Sequence, residues 1–132
     1  MLLLDTHIFV WWATDADRID SAIRRAIGDV IGSGDEVLVS AITLWEICKL
    51  VEYKRLTLDR AVEEWLPAAV EKAAARVVDI DIPIAVESTR LPAPFHRDPA
   101  DQIIVATARV LDCQLATQDR LLRSYPHVRT VS

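Results

Sequence analysis

The chain has 132 residues, with 15 basic and 20 acidic side chains and a formal net charge of −5. This length fits one domain with a substantial core, and a hydrophobic content of 52% excludes a disordered chain. The longest apolar run, residues 8–13, falls far short of the ~20 residues that cross a bilayer, so no membrane partner is expected. On charge alone a nucleic-acid partner is disfavoured, because nonspecific binding to phosphates depends on Lys and Arg.

The cysteines and the start of the chain predict a cellular compartment. Cys48 and Cys113 form no Cys-x-x-Cys pair, and the apolar segment at residues 1–4 is too short for a secretory signal. We therefore expect a reduced, cytoplasmic protein whose thiols fill the core. The histidines lack the spacing of a zinc site, and the glycines match no nucleotide-binding motif.

Short apolar runs alternate with helical patterns in the first half of the chain. Strands are predicted at residues 2–4 and 37–39. Helices are predicted at residues 6–13 and 21–31, and a third helix follows Ser40, which is suited to be its N-cap.

The alternation continues to the end of the chain. Pro67 is expected to kink a helix over residues 59–76, or to split it in two. The other predicted elements are an extended segment at 77–82, helices at 84–89, 99–111 and 119–124, a proline-rich loop at 91–99, and strands at 113–117 and 128–131. Strands separated by helices favour an α/β fold: one three-layer domain with a small, mainly parallel sheet flanked by helices.

Acidic residues fall where ligands collect in such sheets, beyond the carboxyl ends of the strands. Asp5 follows the first strand, Glu46 lies on the helix after the second, and Asp119 follows the strand at 113–117. Asp98 and Asp101 open the helix that leads into that same strand. We expect these carboxylates to converge, and a cluster of like charges requires a divalent cation. Oxygen ligands select Mg²⁺ or Mn²⁺, and such sites suit phosphodiester hydrolysis.

Each of these acids also has a purely structural interpretation. Asp5 and Asp98 could cap helices, and Pro99 after Asp98 strengthens that alternative. Asp101 would satisfy a helix dipole, and Glu46 could belong to a polar helix face. Asp119 could be a first-turn acid in a surface turn. For Asp5 the functional interpretation is the stronger one, because an acid beside a buried apolar strand is costly without a function.

Four motifs carry a family resemblance that covers nearly the whole chain. They are Leu2-Leu-Leu-Asp5-Thr-His-Ile-Phe-Val-Trp11-Trp12, Ser40-Ala-Ile-Thr-Leu-Trp-Glu46-Ile, His96-Arg-Asp98-Pro-Ala-Asp101-Gln-Ile-Ile-Val-Ala-Thr-Ala108 and Leu115-Ala-Thr117-Gln-Asp119. In order and spacing they resemble the PIN-domain family (PilT N-terminus), and most of all the ribonuclease toxins of VapBC-type toxin–antitoxin modules. The resemblance implies one PIN-like domain over residues 1–132.

The resemblance implies a metal-dependent endoribonuclease with Mg²⁺ or Mn²⁺ as cofactor. The family's first acid matches Asp5, its second Glu46 and its last Asp119. Asp101 fits the third, and Asp98 is an additional acid, so that either could contact the metal. The catalytic set is therefore Asp5, Glu46, Asp101 and Asp119, and the metal-ligand candidates are Asp5, Asp98, Asp101 and Asp119.

Further residues are expected to support these acids. Thr6, Ser40 and Thr117 accompany them in the motifs. Arg97 and Arg120 could steady the RNA backbone, since a guanidinium pairs well with phosphate, or could be ordinary surface arginines. The resemblance also implies a cognate VapB-like antitoxin and a homodimer.

Four tryptophans are unusual in so short a chain: Trp11, Trp12, Trp45 and Trp65. They are expected to pack in the core, or else to form a surface for an antitoxin helix or a second copy of the chain.

Two rival functions remain open on the sequence. A phosphatase of the haloacid-dehalogenase type also places an Asp after a buried strand, but it requires a second Asp where His7 stands. A catalytically silent PIN-like module that binds RNA or protein is opposed by the retention of every acid that the family uses. The number of candidate acids, five, equals the size of the net negative charge, so the other acidic and basic side chains balance. The excess of acidic residues therefore points to a metal site.

Overall fold

The strands form one parallel sheet in the computed structural model, which describes residues 1–131. The sheet has four strands in the order β3-β2-β1-β4, and every neighbouring pair is parallel. The two central strands, β1 and β2, are buried along their whole length, as expected for a parallel sheet covered on both faces. The strands are β1 (Leu2–Leu4), β2 (Val37–Ser40), β3 (Ala75–Val78) and β4 (Gln114–Ala116).

Seven α-helices connect the strands within residues 1–131. They are α1 (Thr6–Thr14), α2 (Ser21–Gly32), α3 (Ala41–Glu52), α4 (Val62–Lys72), α5 (Ile82–Ser88), α6 (Pro99–Leu111) and α7 (Arg120–Ser124), and a 3₁₀ helix at Ala16–Arg18 follows α1. None of them, in the described part of the chain, combines the length and apolar character that a bilayer crossing requires.

The core has two halves, one on each face of the sheet. Leu2 and Leu4 pack into the half formed with α1, α2 and α4, and Leu3 between them packs into the half formed with α5, α6 and α7. Side chains in a strand alternate between faces, so one three-residue apolar strand contributes to both halves. This arrangement confirms the predicted α/β class with a sheet between layers of helices.

The predicted helix over residues 59–76 is shorter in the structure and ends before β3. Pro67 lies inside α4, on its exposed side, and the helix continues through it. The helix ends because Ala74 adopts a left-handed φ of 51°, a conformation that commonly follows the last turn of a helix. Glycine usually occupies such a position, and the alanine here gave no signal of the helix end in the sequence. Correspondingly, the extended segment begins at Ala75, and α5 begins at Ile82 after Asp81 accepts a hydrogen bond from the amide of Ile84.

The predicted strand at 128–131 was wrong. Among the described residues this segment makes one isolated parallel bridge, between Leu115 and Thr130. Leu115 donates its amide to the carbonyl of Arg129 and accepts a hydrogen bond from the amide of Val131. Because β4 is three residues long, only its central residue offers both of these backbone groups to the segment.

Candidate active site

Five acidic side chains from four segments line one cavity of about 410 Å³. The cavity lies at the carboxyl ends of β1, β2 and β4, where the loops and helix N-termini that follow a parallel sheet gather. Its acidic lining residues are Asp5, Glu46, Asp98, Asp101 and Asp119.

Asp5 joins the end of β1 to the end of β4. It is 4% exposed, and its Oδ1 accepts the amide of Thr6 at 2.8 Å, which makes Asp5 the N-cap of α1. Its Oδ2 accepts a hydrogen bond from the hydroxyl of Thr117 at 2.6 Å. The capping and functional interpretations of Asp5 are therefore compatible, since the cap fixes the carboxylate at the cavity.

His7 supports Asp5 from the other side. Its Nε2 accepts the amide of Gln118 at 3.1 Å, so the ring proton of the neutral imidazole resides on Nδ1. Nδ1 lies 3.3 Å from Oδ2 of Asp5. His7 thereby holds the carboxylate of Asp5 and the loop after β4 in one arrangement.

Glu46 reaches the cavity from the second turn of α3. Its Oε1 accepts a hydrogen bond from the hydroxyl of Thr6, and that hydroxyl also lies 2.9 Å from the hydroxyl of Thr43. Burial raises the pKa of Glu46, the hydrogen bond from Thr6 opposes this rise, and the charges of Asp101 and Asp5 add to it.

Asp98 and Asp101 stand at the N-terminus of α6. Asp98 is the N-cap, with Oδ1 accepting the amide of Asp101 at 3.1 Å, and Pro99 follows at the first helical position. Oδ2 of Asp101 lies 2.7 Å from Nε2 of His96. Burial raises the pKa of Asp101 to about 6, against the effect of the hydrogen bond with His96 and with the help of the charges of Asp5 and Asp98.

Asp119 caps α7, with Oδ1 accepting the amides of Leu121 and Leu122. Thr117, which is fully buried, accepts the amide of Asp119 at 3.0 Å while its hydroxyl donates to Asp5. The second oxygens of Asp98 and Asp119 accept no hydrogen bond from residues 1–131. These two caps therefore each keep one oxygen available for a ligand.

The donor set of this cavity fits a hard divalent cation. Among residues 1–131 no three His, Cys, Asp or Glu side chains converge tightly enough to form a finished metal site, because the carboxylates line the walls and several serve as caps. Burial and the charges of neighbouring carboxylates raise the pKa of both Glu46 and Asp101, so a cation in the cavity would favour their charged forms. A set made only of carboxylate oxygens is the type that Mg²⁺ and Mn²⁺ prefer.

The predicted supporting residues divide into two groups. Thr6 lines the cavity, and Thr117 reaches it through its hydrogen bond to Asp5. Ser40 is buried away from it, where its hydroxyl accepts the amide of Ile42 at 3.2 Å and caps α3. Arg97 and Arg120 are exposed and are not among the lining residues.

Several residues that line the cavity were not predicted as site residues. The cations of the cavity wall are Arg18 and Arg55, and Trp11 and His7 stand beside them. His7 and His96 carried a usable signal, since each lies two residues from a candidate acid in the sequence. No sequence feature indicated Arg18, because it reaches the cavity only through the turn that follows α1.

The tryptophans have different environments. Trp65 is 5% exposed in the core, as predicted, whereas Trp45 on α3 is 57% exposed. Trp11 and Trp12 are partly buried, and Trp11 faces the cavity.

We expect Glu46→Gln to stabilise the protein at pH 8 and to leave its stability unchanged at pH 4. The folded state raises the pKa of Glu46, so its contribution to stability is lost as the pH rises through that pKa, and Gln removes this loss. Gln retains an acceptor for the hydroxyl of Thr6. Urea unfolding should be measured at both pH values. The free energy of unfolding of Glu46→Gln should exceed that of the wild type by about 0.5–2 kcal/mol at pH 8 and should equal it at pH 4. Glu64→Gln, exposed on α4, is the control with an equal change of net charge; an equal gain there would contradict a local origin.

The chain is similar to known proteins over almost its whole length. The PIN domain family model matches residues 2–128. A curated relative, Ribonuclease VapC22 from Mycobacterium tuberculosis, is 37% identical over 131 residues, which cover 99% of this chain and 96% of the relative.

Solved structures share the fold at low sequence identity. VapBC2 from Rickettsia felis, bound to a DNA fragment from its promoter, matches with a TM-score of 0.72 and 13% identity over 98% of this chain and 96% of that chain. FitAcB from Neisseria gonorrhoeae matches with a TM-score of 0.67 and 21% identity over 100% and 97% of the two chains. The matched family model and the relative both span almost the whole sequence, and the chain belongs to the PIN domain family.

Proposed function

We propose that this protein is a divalent-metal-dependent endoribonuclease and the toxin of a VapBC-type toxin–antitoxin module. The observation that carries the proposal is one cavity at the strand ends of a PIN fold, lined by five carboxylates. The relative at 37% identity, which is named a ribonuclease, supports RNA as the substrate. The same acids oppose a catalytically silent module, which would have no need of them.

The carboxylates have distinct roles in this proposal. Asp5, Asp101 and Asp119 would hold Mg²⁺ or Mn²⁺, and Asp98 offers one further oxygen beside Asp101. When bound, the cation supplies stabilisation of the negative charge that develops on the phosphate and makes water a better nucleophile. Thr117 and His7 keep Asp5 in place through its Oδ2.

Glu46 is suited to hold and deprotonate the attacking water. Thr6 fixes one carboxylate oxygen of Glu46, and the other accepts no hydrogen bond from residues 1–131. Its raised pKa brings the carboxylate closer to the operating pH, which makes it a better general base than an exposed glutamate.

We expect the purified protein to cleave single-stranded RNA with Mg²⁺ or Mn²⁺ and to lose this activity in EDTA. The reason is that the self-repelling carboxylates cannot position a polyanion without a cation between them. Gel analysis of a labelled RNA, with and without added metal, measures the effect. A protein that binds RNA but never cleaves it, under any divalent metal, would support the silent module instead.

We further infer a cognate antitoxin protein as partner. Toxin–antitoxin assemblies recur among the matched structures, including a complex from Klebsiella pneumoniae with a TM-score of 0.64. Homodimer formation, a cytoplasmic location and one domain over residues 1–132 stay predictions; the two free cysteines, Cys48 and Cys113, agree with a reducing compartment.

A further inference from the structure

Arg18 combines three features at the rim of the acidic cavity. It lines the cavity, its side chain is exposed, and its guanidinium lies over the ring of Trp11, 4.4 Å from the centroid. Within residues 1–131 it forms no ion pair, although five carboxylates line the same cavity. Its charge is therefore available for an anion that comes from outside the chain.

The position of Arg18 is coupled to the acids by a series of contacts. The ring of Trp11 meets the ring of His7 edge to face, with centroids 5.0 Å apart, and His7 contacts Asp5. The carbonyl of Arg18 accepts a hydrogen bond from the side chain of Gln118, in the loop that precedes Asp119. The turn that carries Arg18 is thus attached both to α1 and to the loop after β4.

The guanidinium of Arg18 donates no hydrogen bond to residues 1–131, so its N–H groups are free for a ligand. An aromatic ring contacts the flat face of the group, whereas the N–H donors point outward in its plane, in the geometry that phosphate oxygens accept. Arg123, by contrast, uses its donors on the carbonyl of Thr117 and on Asp20, so it serves the fold. Arg55 also lines the cavity, but within residues 1–131 no aromatic ring fixes its guanidinium.

We propose that Arg18, held over Trp11, is a positioning residue that binds a backbone phosphate of the RNA beside the scissile bond. This inference depends on the proposed endoribonuclease function. It assigns the phosphate contact to Arg18 in place of the exposed Arg97 and Arg120, because Arg18 alone of these three lines the cavity and has an aromatic ring that orients it. Since a phosphate contact carries no base specificity, the effect should be uniform across RNA sequences.

The test compares Arg18→Gln with Arg25→Gln, an exposed arginine on α2 that is likewise free of ion pairs among residues 1–131. In single-turnover cleavage of a trace amount of one labelled RNA with Mn²⁺, we expect Arg18→Gln to raise the protein concentration at half-maximal rate about tenfold, with the maximal rate changed less than twofold. The slope of log affinity against log salt should decrease by about 0.7, the value for one phosphate contact on a single strand. Arg25→Gln should change neither quantity.

Two further variants separate stacking from charge. Arg18→Lys keeps the charge and loses the planar donors, so an intermediate effect is expected. Trp11→Leu removes the ring that orients Arg18, and it should weaken RNA binding when its melting temperature shows that the fold is retained.

The outcomes that would overturn the inference are distinct from those that concern the function. If the wild-type protein cleaves RNA and Arg18→Gln matches Arg25→Gln in both measurements, Arg18 does not bind the phosphate. A loss confined to the maximal rate would contradict a binding role as well. If the wild-type protein fails to cleave RNA with any divalent metal, the proposed function fails, and this inference fails with it.

Discussion

Asp5→Asn is expected to abolish RNA cleavage while the protein stays folded. The substitution removes the charge of the most buried acid in the cavity, and a metal ligand of this type should cost more than the roughly 10–100-fold loss typical of an outer-shell partner. We therefore expect a decrease of at least about 100-fold in the rate of cleavage with Mn²⁺. The fold should survive, because Asn can still accept the amide of Thr6 and keep the cap of α1.

The matched control is Asp17→Asn, since the side chain of Asp17 is 97% exposed and lies outside the cavity lining. Circular dichroism and melting temperature should show both variants folded, and only Asp5→Asn should lose cleavage. Full activity in Asp5→Asn would contradict the proposed site, because among residues 1–131 Asp5 is the acid that joins the end of β1 to the end of β4.

Asp101 is expected to lower the stability of the metal-free protein as the pH rises from 4 to 7. Its pKa is about 6 in the folded protein against 3.8 for the ordinary group, so over this range the folded state binds more protons than the unfolded state. The contribution is present below the unfolded pKa and is lost as the pH rises through the folded one. For a side chain that is 19% exposed, linkage gives a loss on the order of 2–3 kcal/mol.

Other carboxylates titrate in the same range, so the measurement is a difference between two proteins. The free energy of unfolding of Asp101→Asn minus that of the wild type should increase between pH 4 and pH 7, in urea titrations without divalent metal. Asp29→Asn, exposed on α2, makes the same change of side chain outside the cavity and should not reproduce this increase. A flat difference for Asp101→Asn would show that its carboxyl titrates like an exposed one.

Mn²⁺ should reverse this loss at neutral pH. A ligand that binds only the folded state at 100 times its dissociation constant stabilises it by about 2.7 kcal/mol. At pH 4.5 the effect should be smaller, because protons compete for Asp101 and Glu46, whose pKa values are raised. Two results would show that the ion binds outside this cavity. One is that Mn²⁺ stabilises the protein equally at pH 4.5 and at neutral pH, and the other is that it stabilises Asp101→Asn as much as the wild type.

The predicted loss of stability through Asp101 and the predicted stabilisation by Mn²⁺ have the same origin. The same carboxylates that suit the cavity for a cation destabilise the empty fold, because burial and mutual repulsion raise their pKa values. The net charge of −5 equals the number of acids in the cavity lining, so the rest of the chain is balanced. An acidic chain is therefore compatible with an RNA substrate, because its excess charge is concentrated where a cation would bind.

Much of the architecture is encoded in short stretches of sequence. The apolar run Leu2–Leu4, bounded by Asp5, predicts both a buried strand and the acid at its end. Asp98 before Pro99 predicts the start of α6 at the residue where it occurs. These features were predictable because backbone preference, side-chain alternation and helix capping act between near neighbours in the chain.

Other features depend on contacts between distant segments, and the sequence showed no signal for them. Ala74 closes α4 in a conformation that its own side chain does not favour, and the pKa of Asp101 reflects burial and charges contributed by other elements. Arg97 and Arg120 were predicted to contact RNA because they lie beside the acids in the sequence, yet the arginines that line the cavity are Arg18 and Arg55. Local residue patterns thus account for the strands, the caps and the acids. The position of Arg18 beside those acids depends on the packing of α1 and its following turn against the loop after β4, since burial, charge and distance there are properties of the assembled fold.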